Sequence, residues 1–108
     1  MHKGLLAACA ALTISIPATA GAAFVTGNSL LADFKSTDGF GPAYAHGYSV
    51  GVFDSFEGVN HCAPIGVSQG QIRAIARRYL ESNPETLHHP AQMLLKIAYK
   101  NAFPCSNE

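Results

Sequence analysis

From residue 28 onward the apolar side chains recur three and four positions apart, and no stretch alternates convincingly over the length of a strand. That periodicity restricts the chain to helices packed on one another. The first helix is expected from about Asn28 to Lys35, opened by Thr26-Gly27-Asn28 as a capping region, with Leu30, Leu31 and Phe34 at helical spacing. Ser36-Thr37-Asp38-Gly39 closes it as a turn. The second is expected from about Pro42 to Phe56, with Tyr44, Tyr48, Val52 and Phe56 along one edge and Gly47 and Gly51 on an adjoining stripe. A glycine inside a helix costs about 1 kcal/mol relative to alanine, so another helix backbone is expected to approach closely at these two positions. They do not read as a phosphate-binding loop, because no strand precedes them and no helix starts after them.

The third helix has the best-marked start. Ser68 and Gln71 form a capping box, with Val67 placed as an apolar staple against Ile72. Ile72, Ile75, Ala76, Tyr79 and Leu80 make its apolar face, and Arg73, Arg77 and Arg78 lie towards solvent. Asn83-Pro84 stops it, and Thr86-Leu87-His88-His89 turns the chain towards Pro90, which suits the first position of a fourth helix. Leu94, Leu95, Ala98 and Ala102 are the buried stripe of that helix, which ends at Ala102-Phe103-Pro104-Cys105. The expected fold class is all-α, a compact bundle of four main helices.

The apolar stretch from Leu5 to Ile16 is a different object. It follows the basic His2-Lys3 and ends in Pro17-Ala18-Thr19-Ala20, the small-x-small pattern of a signal-peptide cleavage site, so residues 1–20 are expected to be a signal peptide and 21–108 the mature domain. Ala23 is the second candidate for the cut. Leu6-Ala7-Ala8-Cys9 looks like a lipobox, but only five residues separate Lys3 from Cys9, too few for a full apolar region. Removal of the leader takes Cys9 away and leaves Cys62 and Cys105 in an exported chain, which favours a disulfide between them. A bridge closing a loop of this length contributes roughly 4 kcal/mol, comparable to the net stability of so small a domain.

Charge argues against several function classes. Seven Lys+Arg balance seven Asp+Glu, so no overall field attracts nucleic acid. No membrane span is expected in the mature chain. No metal site or other cofactor is expected either: His61, His88 and His89 lack ligand spacing, and adjacent histidines do not share a face of a regular element. They read as turn histidines, one of them capping a helix. Cys62 beside His61 is a weak nucleophile candidate, since neighbours rarely point correctly and no orienting carboxylate is near in sequence. Asp54 and Glu57 share a side of the second helix with no sign of a cleft. The chain does not read as an enzyme.

The ordered set Phe24-Val25-Thr26-Gly27-Asn28-Ser29-Leu30-Leu31, Gly47-Tyr48-Ser49-Val50-Gly51-Val52 with Asp54, Cys62-Ala63-Pro64-Ile65-Gly66-Val67-Ser68 with Gln71, Tyr79-Leu80, Asn83-Pro84-Glu85 and Ala102-Phe103-Pro104-Cys105 resembles the Rap/Tai immunity family. These are small exported helical proteins associated with type VI secretion that protect bacteria from peptidoglycan amidase effectors. The resemblance implies a periplasmic, non-enzymatic homodimer that plugs the amidase cleft with a loop or helix. The family pattern has a further cysteine pair where this chain carries Phe34 and Ala45, so those two residues are expected to pack near each other in place of the bond. Candidate partner-binding residues are Glu81, Asn83, Glu85, His88 and His89, polar groups on a turn stiffened by two prolines. The alternative is a small disulfide-containing periplasmic stress protein or acid-response chaperone, for which the five histidines would supply a pH response.

Overall fold

The computed structural model describes residues 23–106; the expected signal peptide lies outside the described residues. Four α-helices follow one another: α1 (Gly27–Lys35), α2 (Phe40–Phe56), α3 (Gln69–Ser82) and α4 (Ala91–Ala102), with a short 3₁₀ turn at Pro84–Thr86. No strand is present among the described residues; two isolated bridges, Thr26 with Pro90 and Glu57 with His61, are the extended pairings. The chain is an all-α bundle closed by a disulfide between Cys62 and Cys105, whose Cα atoms are 4.8 Å apart.

Local chemistry sets each boundary. Thr26 caps α1 through a reciprocal box with Ser29: its Oγ1 accepts from the Ser29 N–H at 3.2 Å, and its own N–H donates to Ser29 Oγ at 3.0 Å. This starts the helix at Gly27, one residue before the expected position. The second helix begins at Phe40 rather than Pro42, because Asp38 Oδ1 captures the Gly41 N–H at 2.8 Å. Pro42 then lies in the first turn, where a missing N–H costs nothing. The Gly41 hydrogen bond, and after it the Ser36 hydroxyl, hold the Asp38 carboxyl below its usual pKa. The Ser68 and Gln71 box opens α3 as expected, with bonds of 2.7 and 3.1 Å.

Pro90 does not take the first position of α4. It is the residue before it, extended at ψ 134°, and the Ala91 N–H donates to the Val25 carbonyl at 2.9 Å. The bridge to the segment before α1 uses the extended backbone, which displaces the helix start by one residue.

The core gathers residues from every helix: Leu30 and Phe34 from α1, Phe53 from α2, Leu80 from α3, Leu95 and Tyr99 from α4. Phe34 of α1 and Ala45 of α2 are both buried in this cluster. Tyr99 is fully buried and donates its hydroxyl to the Ser49 carbonyl at 2.8 Å, so its polar end is satisfied while the ring packs edge-on against Phe53 at 5.2 Å.

The expectation for the glycines of α2 is overturned. A Cβ built at Gly47 or Gly51 would meet nothing within 4 Å, because both face away from the other helices. The close approaches are at Gly27, where a Cβ would lie 2.9 Å from the Leu87 backbone, and at Gly41, 2.6 Å from Ser36 Cβ. Spacing identified a glycine stripe on α2; it did not show which side of the helix the bundle covers.

Candidate partner-binding surface

The segment from Glu81 to His89 wraps the end of the bundle, and its residues divide by role. Asn83 ends α3: its Nδ2 donates to the Tyr79 carbonyl at 2.8 Å. The Asn83 carbonyl accepts the Thr86 hydroxyl at 2.9 Å, which closes the 3₁₀ turn. Leu87 is buried and fastens the turn to the core. Backbone bonds tie it to the start of α1, from Gly27 N–H to the His89 carbonyl at 3.0 Å and from Asn28 N–H to the Leu87 carbonyl at 2.8 Å. Glu81 pairs with Arg77 at 3.5 Å on the surface. Glu85 and His88 are exposed, and the His88 and His89 rings lie 4.1 Å apart. The five predicted residues therefore lie together where α3 joins α4, Glu81 in the last turn of α3 and the other four on the connection that follows, with Asn83 and His89 half-buried. Asn83 also borders a shallow groove of about 320 Å³ between α3 and α4, with Arg78, Tyr79 and Asn101.

The connection from Glu57 to Ser68 is a second rigid feature. Reading His61 as a turn histidine is wrong: it is fully buried, with its ring 4.3 Å from Phe53 and 5.5 Å from Tyr99. Its Nε2 lies 2.9 Å from Glu57 Oε2, but neither ring nitrogen makes a well-aligned hydrogen bond. Burial pushes the His61 pKa below its ordinary value, against the opposing pull of the Glu57 carboxylate and then the Phe53 carbonyl. Glu57 Oε1 also accepts the Ala63 N–H at 2.9 Å, Asn60 Nδ2 donates to the Lys96 carbonyl at 2.8 Å, and Cys62 N–H donates to the Phe103 carbonyl at 2.8 Å. Cys62 is spent in the disulfide and offers no nucleophile. From this pinned loop Val59 and Ile65 project almost completely into solvent, at 81% and 106% exposure. Sequence reasoning missed both; the signal was a large aliphatic residue isolated between Pro64 and Gly66, and another beside Gly58, in a connection that has no apolar face to build.

The arginines of α3 are less free than a solvated face implies. Arg73 stacks over the Phe34 ring at 5.6 Å and Arg77 pairs with Glu81, while Arg78 is exposed. Among the described residues no group of three or more His, Cys, Asp or Glu could hold a metal ion. None of their helices is long and apolar enough to cross a membrane.

The described residues form a disulfide-stapled helical domain with shallow grooves and isolated exposed apolar side chains on its connections. The model of the Rap1a immunity proteins matches residues 3–105, nearly the whole chain, and the protein belongs to that family. No curated protein matches it. Family membership makes it an immunity protein for an effector.

Proposed function

We propose that the protein is exported to the periplasm, loses residues 1–20, and there, without catalysis of its own, binds and occludes a peptidoglycan amidase effector delivered by type VI secretion. The observation that carries this reading is the family match over residues 3–105, on a chain whose leader-like N-terminus precedes a disulfide-closed bundle. We further propose that it works as a homodimer and that Glu81, Asn83, Glu85, His88 and His89 contact the effector. Their turn is held by Leu87 and by backbone bonds to α1, so little conformational freedom is lost when a partner covers it.

The test is a pull-down of the domain against amidases from the same and competing cells, followed by a cell-wall hydrolysis assay. Binding that saturates while hydrolysis stops is the expected result; saturating binding with hydrolysis unimpaired rejects occlusion. The acid-response chaperone reading draws support from one observation, the buried His61 with its lowered pKa. Protection of unfolded client proteins at low pH, with no amidase captured, would favour it.

A further inference from the structure

We infer that the uncovered face of α2 is a self-association surface, on which a second copy of this chain packs its own α2 across the first. This rests on the dimeric reading above and adds the surface that makes the contact. The helix carries one formally charged residue, Asp54, and is otherwise apolar or neutral all round, a pattern suited to a helix enclosed on every side. The bundle covers only the side holding Gly41, Ala45, Ser49, Val52 and Phe53.

On the other side, two rows of residues four apart run next to each other. One is a ridge: Phe40, Tyr44 and Tyr48, with ring centroids 6.5 and 6.3 Å apart along the row. The other is a trough: Ala43, Gly47, Gly51 and Ser55, all exposed, with open space above both glycines. A ridge beside a trough on one helix is self-complementary. A two-fold axis near Gly51 seats each copy's ridge in the other's trough, the packing of four-spaced rows that dominates helix pairs in globular proteins. None of these seven residues is formally charged; the acidic groups beside them are Asp54, exposed three positions after Gly51, and Asp33, which lines the groove with Phe24 and Phe40.

The area is also suitable. Phe24, Phe40 and Tyr44 are 95%, 78% and 42% exposed and line one groove of about 230 Å³ with Val25. At about 200 Å² a ring they offer roughly 400 Å², half of the ~800 Å² per partner of a standard interface. Tyr48 and Gln92, which line the grooves continuing along the helix, extend the patch towards the rest.

Sedimentation velocity over a micromolar-to-millimolar series, on residues 21–108, which contain every described element, tests the surface. The wild type is expected to dimerise. Gly47→Arg and Gly51→Arg point into open space, so circular dichroism should show them folded, with dimer dissociation constants raised about tenfold or more. Ala74→Arg, on the exposed side of α3, should change nothing. Gly51→Cys, close to the proposed axis, should give an oxidised covalent dimer that Ala74→Cys does not. A wild type that stays monomeric throughout overturns the dimer itself. A dimer indifferent to both arginines, and not trapped by Gly51→Cys, overturns this face and leaves the dimer standing. Arginine variants that keep the dimer but lose a captured amidase would show that the face belongs to the effector instead.

Discussion

The two long connections of the bundle are held in opposite ways. Between α2 and α3 the chain is tied mostly by side chains, with one backbone bond from the Cys62 N–H to the Phe103 carbonyl: the Cys62–Cys105 bridge, the His61 ring in the aromatic core, Glu57 on the Ala63 N–H and Asn60 on the Lys96 carbonyl. Between α3 and α4 the tether to the rest of the molecule is mostly backbone, Gly27 and Asn28 N–H groups bonding the His89 and Leu87 carbonyls, with Leu87 as the one buried anchor. Both turns are stiff. Their difference is that the first depends on residue identity at several positions, and the second on how closely two stretches of backbone can approach.

The largest loss of stability follows from cutting the first tether. Replacing both cysteines by serine should cost about 4 kcal/mol for a bridge spanning this length of chain, read as a lower urea midpoint. A loss under about 1 kcal/mol would mean that the non-covalent bonds around His61 already fix the loop. For the second tether the sensitive point is a glycine. Gly27→Ala would set a Cβ 2.9 Å from the Leu87 backbone, which has no flexible end to yield, and should cost about 2 kcal/mol. The same change at Gly47, measured at concentrations where the chain is monomeric, should stabilise by up to about 1 kcal/mol, since the space is open and alanine favours helix.

The buried histidine gives the first connection a pH dependence. Its folded pKa lies below the unfolded value near 6.5, so between the two the unfolded chain binds more protons. Stability from this site is complete above about pH 6.5 and falls as pH drops through the folded pKa. Denaturant titrations at about pH 7 and about pH 5 should therefore show a fall in the wild type that is smaller in His61→Phe, a ring that suits the contacts with Phe53 and Tyr99. An equal fall in both would remove His61 as its source.

The same contrast explains what the sequence made legible. Side-chain chemistry announces itself: the Ser68 and Gln71 box, the paired cysteines and the Asn83-Pro84 stop all stand in the structure where they were read. Three-residue and four-residue spacing located all four helices. Backbone arrangements leave little trace. The pairing of residue 26 with Pro90, which displaces the start of α4, involves no special residue type on either side beyond the proline itself. The burial of His61 was hidden because a histidine in a connection reads as polar. Only the arrival of Phe53 and Tyr99, the latter from a helix that begins thirty residues later, makes a pocket for its ring. Glycine spacing on α2 was visible, but the covered side was not, because that helix is almost as apolar on its open side as on its buried one.

The smallest effects separate structure from recognition within the second connection. Asn83 is a cap as well as a candidate contact, so Asn83→Ala should lower stability by about 1 kcal/mol through the lost bond to the Tyr79 carbonyl. Glu85 is exposed, and Glu85→Ala should move stability by less than about 0.5 kcal/mol. A drop in effector affinity for Glu85→Ala at unchanged stability would therefore report contact directly, whereas the same drop for Asn83→Ala alone would reflect a loosened turn. If neither variant affects binding while Val59→Ala and Ile65→Ala do, the effector reads the connection held by side chains, and the turn between α3 and α4 serves only to close the bundle.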